Sequence, residues 1–162
     1  RENTDWSRSA AGVVIKDGKV LLCRHSYGVG SGLLIVPGGY LERGESPQDA
    51  VCREVLEETG VTVKPGRLIG ARFSQRDWYM AFAAGYVCGE ARSDGEENSE
   101  VVWMDCEEAL EREDVPKLTK ALIQSALWGG GLFEMSYEGK NPGTLYGAPR
   151  PEDERSILYA IE

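Results

Sequence analysis

Apolar residues along this chain fall into short blocks separated by turn residues, with a few stretches of helical spacing between them. Residues 10–15 form an apolar, β-branched run, the pair Asp17-Gly18 follows, and apolar character resumes at 20–23, which predicts a β-hairpin. Residues 33–36 read as a short buried strand, and Pro37-Gly38-Gly39 as a turn. Further strands are expected at 61–63, 68–73, 78–87 and 101–104, the last two separated by an acidic, turn-rich segment over 89–100. Helices are expected after Ser46, over 106–110, and over 118–128, where Leu118, Leu122, Ser125 and Ala126 share adjoining faces. Strands sandwiched by helices predict α/β/α layering, and the mixture of hairpins with helical crossovers argues against a doubly wound parallel sheet.

The helix after Ser46 carries the densest signals. Ser46 can cap the first turn, Pro47 suits the first helical position, Asp49 completes a capping-box pattern, and Gly60 suits a left-handed stop. At about 100° per residue, Cys52, Val55, Leu56 and Thr59 fall on one side, which is expected to pack. Glu54, Glu57 and Glu58 stand at i, i+3 and i+4 on nearly the opposite side, facing solvent or a cleft. Three clustered carboxylates repel one another unless a cation sits between them.

Around that helix, Gly39, Glu45, Arg53, Glu54, Val55, Glu57, Glu58, Gly60 and Val61 fill every fixed position of the pattern GX5EX7REUXEEXGU, with U aliphatic. The chain thereby resembles the Nudix hydrolase family over about its first 128 residues. The resemblance implies an α/β fold, an α/β/α sandwich around a mixed β-sheet. It also implies a magnesium-dependent hydrolase, with manganese as the alternative ion, that cleaves the pyrophosphate link of a nucleoside diphosphate joined to another moiety. Carried over residue by residue, Glu54, Glu57 and Glu58 become metal ligands, Glu57 or Glu58 also receives the attacking water, and Arg53 holds the glutamates in register. Gly39 leaves room at the loop entry and permits a strained backbone angle, while Glu45 anchors the loop.

Relatives add a carboxylate from a loop ahead of a later tryptophan. Glu97, six residues before Trp103, matches that position best and Glu100 is the second choice. Phe73-Ser74-Gln75-Arg76-Asp77-Trp78 is similar to part of the Ser-Gln-Pro-Trp motif of the NADH-cleaving branch, without its proline. On that basis Phe73 or Trp78 is a candidate to stack a base and Arg76 to pair with phosphate. His25, the only histidine, ends an expected strand and reads as structural. The other readings of the same residues are a non-catalytic nucleotide-binding or sensing module of this fold and a Nudix-fold isomerase.

Composition narrows the partners. A chain of 162 residues supports one domain with a substantial core, burying about 70% of its unfolded surface. The net charge of −9 argues against extended nucleic acid or an anionic membrane, so phosphate must be met locally by a divalent cation or by placed arginines. Cys23, Cys52, Cys88 and Cys106 form no CxxC pair, which leaves out a zinc ribbon and points to reduced thiols in a cytoplasmic protein. Arg1 to Asp5 are too polar for a signal peptide, and no apolar run approaches the ~20 residues a bilayer requires. From Gly129 onward glycine and proline clusters interrupt two strand-like pieces, at 132–137 and 157–161. The tail over 129–162 is expected to be an appendage packed on the Nudix domain of 1–128, a lid, or a homodimer contact.

Overall fold

The hairpin at Asp17-Gly18 sets the frame. In the computed structural model, which describes residues 7–26, 28, 31–135 and 143–148, β1 (Ser7–Lys16) and β2 (Lys19–His25) are joined by Asp17 and Gly18 at φ 52° and 75°. Positive φ at both turn positions matches the twist of the flanking strands. The strands pair only beside the turn, Ile15 with Val20 and Lys16 with Lys19, and then part. β3 (Leu34–Ile35) continues along β2, and β4 (Gly38–Tyr40) continues along β1. The expected turn at 37–39 is therefore a strand start: Ser9, Ala10 and Ala11 supply a free β1 edge opposite Tyr40, Gly39 and Gly38.

β1 pairs in parallel with β6 (Asp77–Cys88), β6 antiparallel with β5 (Thr62–Phe73), and β2 antiparallel with β7 (Asn98–Asp105), giving a mixed seven-stranded sheet. The pieces expected at 61–63 and 68–73 are one strand, because register shifts around Pro65 and Leu68 absorb the residues that cannot sit in a regular ladder. Side chains of β1 alternate between two cores. Ala10 and Val14 face α1 (Pro47–Thr59), while Ala11 and Val13 face α2 (Cys106–Glu111) and α3 (Lys117–Trp128). Helices on both faces bury the sheet twice, as the layered reading requires.

The helix faces are rotated from expectation. On α1 the buried residues are Ala50, Val51, Val55, Glu58 and Thr59, whereas Leu56 is 50% exposed and Cys52 half-buried. Val51 and Val55 reach Gly12 on β1, where a Cβ would stand 2.9 Å from one valine and 3.2 Å from the other, and that close approach selects the stripe. Each fully buried valine contributes about 1.5–3 kcal/mol. On α3 the buried stripe is Thr119, Leu122, Ile123 and Ala126; Leu118 is 39% exposed, and Ser125 donates to the Ile69 carbonyl at 2.6 Å.

Beyond α3, Leu132 bonds both ways with Leu68 on β5, and β8 (Phe133–Met135) pairs with β9 (Leu145–Gly147), a strand the sequence pattern did not show. Tyr146 packs edge-on against Phe82, and Gln48 Nε2 donates to its hydroxyl at 3.1 Å. The strand expected at 157–161 and the end of the 132–137 piece lie outside the described residues.

Candidate active site

Helix α1 is fixed at both ends by local chemistry. Ser46 accepts from the Asp49 N–H at 3.1 Å, and Gly60, at φ 76°, closes the helix with its N–H on the Leu56 carbonyl. Its acidic face is organised by one guanidinium. Arg53 donates to both Glu45 oxygens (2.8 and 3.0 Å), to Glu54 Oε1 (2.9 Å), to Glu57 Oε2 (3.2 Å) and to the Tyr40 carbonyl (3.0 Å). The hydrogen bond to Glu45, with Glu54 adding to it, holds Arg53 well above its usual value, and the same contact keeps the Glu45 carboxyl below the usual range. Glu45 Oε2 also accepts from the Glu42 N–H at 2.9 Å, so Glu45 anchors the loop between β4 and α1.

Two glycines of β4 allow close approach, Gly39 to this helix and Gly38 to β1. A Cβ at Gly39 would collide with the Glu54 carboxylate, and one at Gly38 would stand 2.5 Å from the Ala10 carbonyl oxygen. Gly39 has no positive φ, so its role is space for Glu54 rather than a strained backbone angle. The Gly38 N–H donates to Glu58 Oε2 at 3.1 Å. Burial of Glu58, reinforced by Glu54 and opposed by that N–H, pushes its carboxyl up to about 8; burial also raises Glu54, against the pull of Arg53.

Across the cavity stands the loop before β7. Asp94 Oδ1 accepts from the N–H groups of Glu96, Glu97 and Asn98, which outweigh the effect of burial and keep its carboxyl below the usual range. Ser26 N–H and Oγ donate to the Glu97 carbonyl at 3.1 and 2.8 Å, tying the loop to the end of β2. Glu54, Glu57, Glu58 and Glu97 line one cavity of about 620 Å³, with Gly39 and Arg53 in its wall. Glu100 faces elsewhere, paired with Arg24 at 2.8 Å. Lining residues that the sequence did not single out are Tyr40, Glu42, Asp94 and Glu96; His25, read there as structural, also lines it. Asp94-Gly95 is a turn signal that marks one of them, and Glu42 sits in the loop spanned by the box.

The structure does not bring Phe73, Arg76 and Trp78 to this cavity. They lie at the turn between β5 and β6, where Phe73 and Trp78 pack edge to face at 5.8 Å. A second cavity of about 290 Å³ adjoins the first and shares Gly38, Gly39 and Tyr40 with it. Its apolar wall includes Ala11, Ile35, Val36, Tyr79 and Leu118, and Arg72, paired with Asp77 at 2.8 Å, stands over the Tyr79 ring. Burial holds the Tyr79 phenol up at about 12.

The donor set suits a hard divalent cation. Among the described residues no three acidic, His or Cys side chains stand close enough together to hold a metal ion as placed, while Glu58 is buried near Glu54, Glu97 and Asp94, and Arg53 is committed to Glu45, Glu54 and Glu57. Seven acidic side chains line the cavity beside Arg53, and burial among them keeps Glu58 protonated up to about 8. Oxygen ligands of this kind match a hard divalent cation, and the Glu57 side chain, bonded to Arg53 at 3.2 Å, is 59% exposed.

A mixed sheet thus lies between helices, with a capped glutamate helix opposite an acidic loop. The chain belongs to the Nudix family: the family's model, described as the NUDIX domain, matches residues 6–124. Nudix hydrolases generally depend on a divalent metal ion. The chain is 34% identical over 116 residues to the NAD-capped RNA hydrolase NudC of Vibrio parahaemolyticus, covering 70% of this chain and 44% of that protein. It therefore spans under half the length of that relative. It is 32% identical over 139 residues to a MutT-like protein of Streptomyces ambofaciens, covering 83% and 86%. Among solved structures, a NUDIX hydrolase from Nitrosomonas europaea superposes with a TM-score of 0.67 at 26% identity, covering 76% of this chain and 90% of that one. No helix among the described residues is long and apolar enough to cross a membrane.

Proposed function

We propose that this protein hydrolyses the pyrophosphate link of a nucleoside diphosphate joined to a second moiety, with Mg2+ or Mn2+ held by Glu54, Glu57, Glu58 and Glu97. The observation that carries the reading is the convergence of these four carboxylates, from a helix and from a loop distant in sequence, on one cavity in a Nudix-family chain. The ion supplies charge neutralisation on the phosphates and a more acidic bound water. The chain's own residues do the rest. Arg53 fixes Glu54 and Glu57, the Gly38 N–H orients Glu58, and Glu57 or Glu58 accepts the proton of the attacking water. Gly39, lacking a Cβ, leaves the space that the Glu54 carboxylate fills.

Substrate choice follows from the adjoining cavity. Its apolar wall and its Arg72–Asp77 pair fit a nucleobase, and the exposed Tyr40 ring, between the two cavities, offers a stacking face. Phe73, Arg76 and Trp78 would touch only a part of the substrate reaching beyond that cavity. We assign 1–128 as the catalytic domain and 129–162 as an appendage on it, supported by the Leu68–Leu132 and Phe82–Tyr146 contacts. A cytoplasmic location accords with four free cysteines. The test is an assay of ADP-ribose, NADH, nucleotide sugars and nucleoside triphosphates with Mg2+: product is expected from at least one of them and none in excess chelator, and turnover persisting in chelator would overturn the metal assignment.

A further inference from the structure

A groove of about 700 Å³ lies on the other side of Tyr40 from the carboxylate cavity and shares Tyr40 and Glu42 with it. Its walls come from the start of β1, at Ser7 and Arg8, and from the loop between β4 and α1, at Arg43. Strand register brings these together: Ser9 opposes Tyr40, and the Leu41 N–H donates to the Arg8 carbonyl at 2.8 Å.

The charge of this groove is unlike the rest of the site. Arg24, Arg53, Arg72 and Arg112 are in ion pairs, and Arg67 donates to main-chain carbonyls. Arg8 and Arg43, both exposed, form no ion pair or side-chain hydrogen bond among the described residues. Of the acids beside them, Glu45 is neutralised by Arg53, and Glu42 stands 3.8 Å from the same guanidinium. Ser46, also on this groove, caps the positive end of α1. In a chain of net charge −9, this groove thus presents two guanidiniums without a paired carboxylate, beside Glu42 and the Arg53-bound Glu45.

The geometry points to a second phosphate subsite in this groove: Arg8 and Arg43 hold a phosphate carried on the substrate's ribose, outside the diphosphate that is cleaved. The inference rests on the carboxylate cavity receiving that diphosphate, since the shared rim at Tyr40 and Glu42 is where the ribose between the two phosphate groups would lie, with its base in the adjoining apolar cavity. Two guanidinium forks can share the three terminal oxygens of a phosphate monoester, whereas a carboxylate offers only two. The same chemistry is offered by a 2′- or 3′-phosphorylated nucleotide and by the first phosphodiester of an RNA 5′ end.

Calorimetric titration of the Mg2+-loaded protein with AMP, adenosine 2′,5′-bisphosphate, adenosine 3′,5′-bisphosphate and the dinucleotide pApA tests this without requiring turnover. At least one phosphorylated probe is expected to bind about tenfold tighter than AMP, with a steeper salt dependence, and the ratio should collapse towards one in the Arg8→Gln/Arg43→Gln variant. Tightest binding of pApA identifies the RNA source, and tightest binding of a bisphosphate the small-molecule source. Arg43→Glu, on an exposed loop, should lower the ratio by itself and serves if the double variant does not fold. A ratio near one in the unmodified protein, or a ratio unchanged in the variants, overturns the subsite. ADP-ribose hydrolysis in chelator would instead overturn the metal reading while leaving the ratio informative.

Discussion

On the α1 wall of the cavity Arg53 gathers Glu45, Glu54 and Glu57 by ionic hydrogen bonds within one stretch of chain. On the opposite wall Glu97 is placed by backbone N–H groups collected on Asp94 and by Ser26 reaching from β2. The first wall is held by ion pairs to one guanidinium, the second by backbone N–H groups on the Asp94 carboxylate and one long-range tie from Ser26. A cation drawn between them meets a helix already set and a loop whose side chains lie on an exposed turn. The helix wall should therefore carry most of the chemistry and the loop wall a smaller, adjustable share.

The widest separation is expected from the ligands themselves. Glu57→Gln should lower turnover by about 100-fold or more with the fold intact, while Glu97→Gln should lower it by about tenfold, because one wall supplies three carboxylates and the other fewer. Steady-state kinetics with melting curves check this, and equal losses would erase the distinction between the walls. Next come the organisers. Arg53→Ala leaves Glu45 and Glu54 without their cation and should reduce kcat by tens-fold, roughly 30-fold. Asp94→Ala, which frees the Glu97 loop, should act more on the Mg2+ concentration needed for half activity than on kcat at saturating metal.

The two glycines sharpen the same contrast at smaller size. Gly39→Ala meets only the end of a flexible side chain, so Tm should change little while activity falls as Glu54 is displaced. Gly38→Ala meets the Ala10 carbonyl and the Ala11 backbone, so thermal stability should fall by about 1–3 kcal/mol as β4 separates from β1. Identical melting curves for the two variants would contradict this.

The last effect is a pH dependence. Glu58 holds its proton up to about 8 in the fold, against 4.5 ordinarily. Its folded value is raised, so the contribution to stability is fully present below the unfolded value and is lost as pH rises through about 8. Between those limits the metal-free protein should lose Tm relative to Glu58→Gln, and added Mg2+ should restore more Tm at about pH 8 than at about pH 5, because the ion binds the ionised carboxylate. Scanning calorimetry with and without chelator reads the difference.

Much of the α1 wall was legible because its determinants are close in sequence. The cap at Ser46, the stop at Gly60 and the spacing of Glu54, Glu57 and Glu58 need only helical periodicity. The depth of each residue was not legible: Leu56 turned outward and Glu58 inward, since Gly12 on β1 admits Val51 and Val55 and sets the rotation of the helix. Phe73, Arg76 and Trp78 looked like substrate contacts by motif, but their strand pairing carries them to a turn away from the carboxylates. Arg8 and Arg43 carry no pattern at all; only the pairing of β1 with β4 sets them on one groove.

The sequence by itself determined the family, the layered α/β architecture and the acidic helix, because periodicity, caps and fixed spacings act over a few turns of chain. The tertiary structure alone decided that Glu100 pairs with Arg24 while Glu97, the position the sequence preferred, lines the cavity, that Gly39 serves Glu54 by leaving space, and that an apolar cavity and a groove bearing Arg8 and Arg43 flank the carboxylates. Those outcomes depend on which strand edges pair and in which register, and such contacts between residues far apart in sequence leave no local pattern to read.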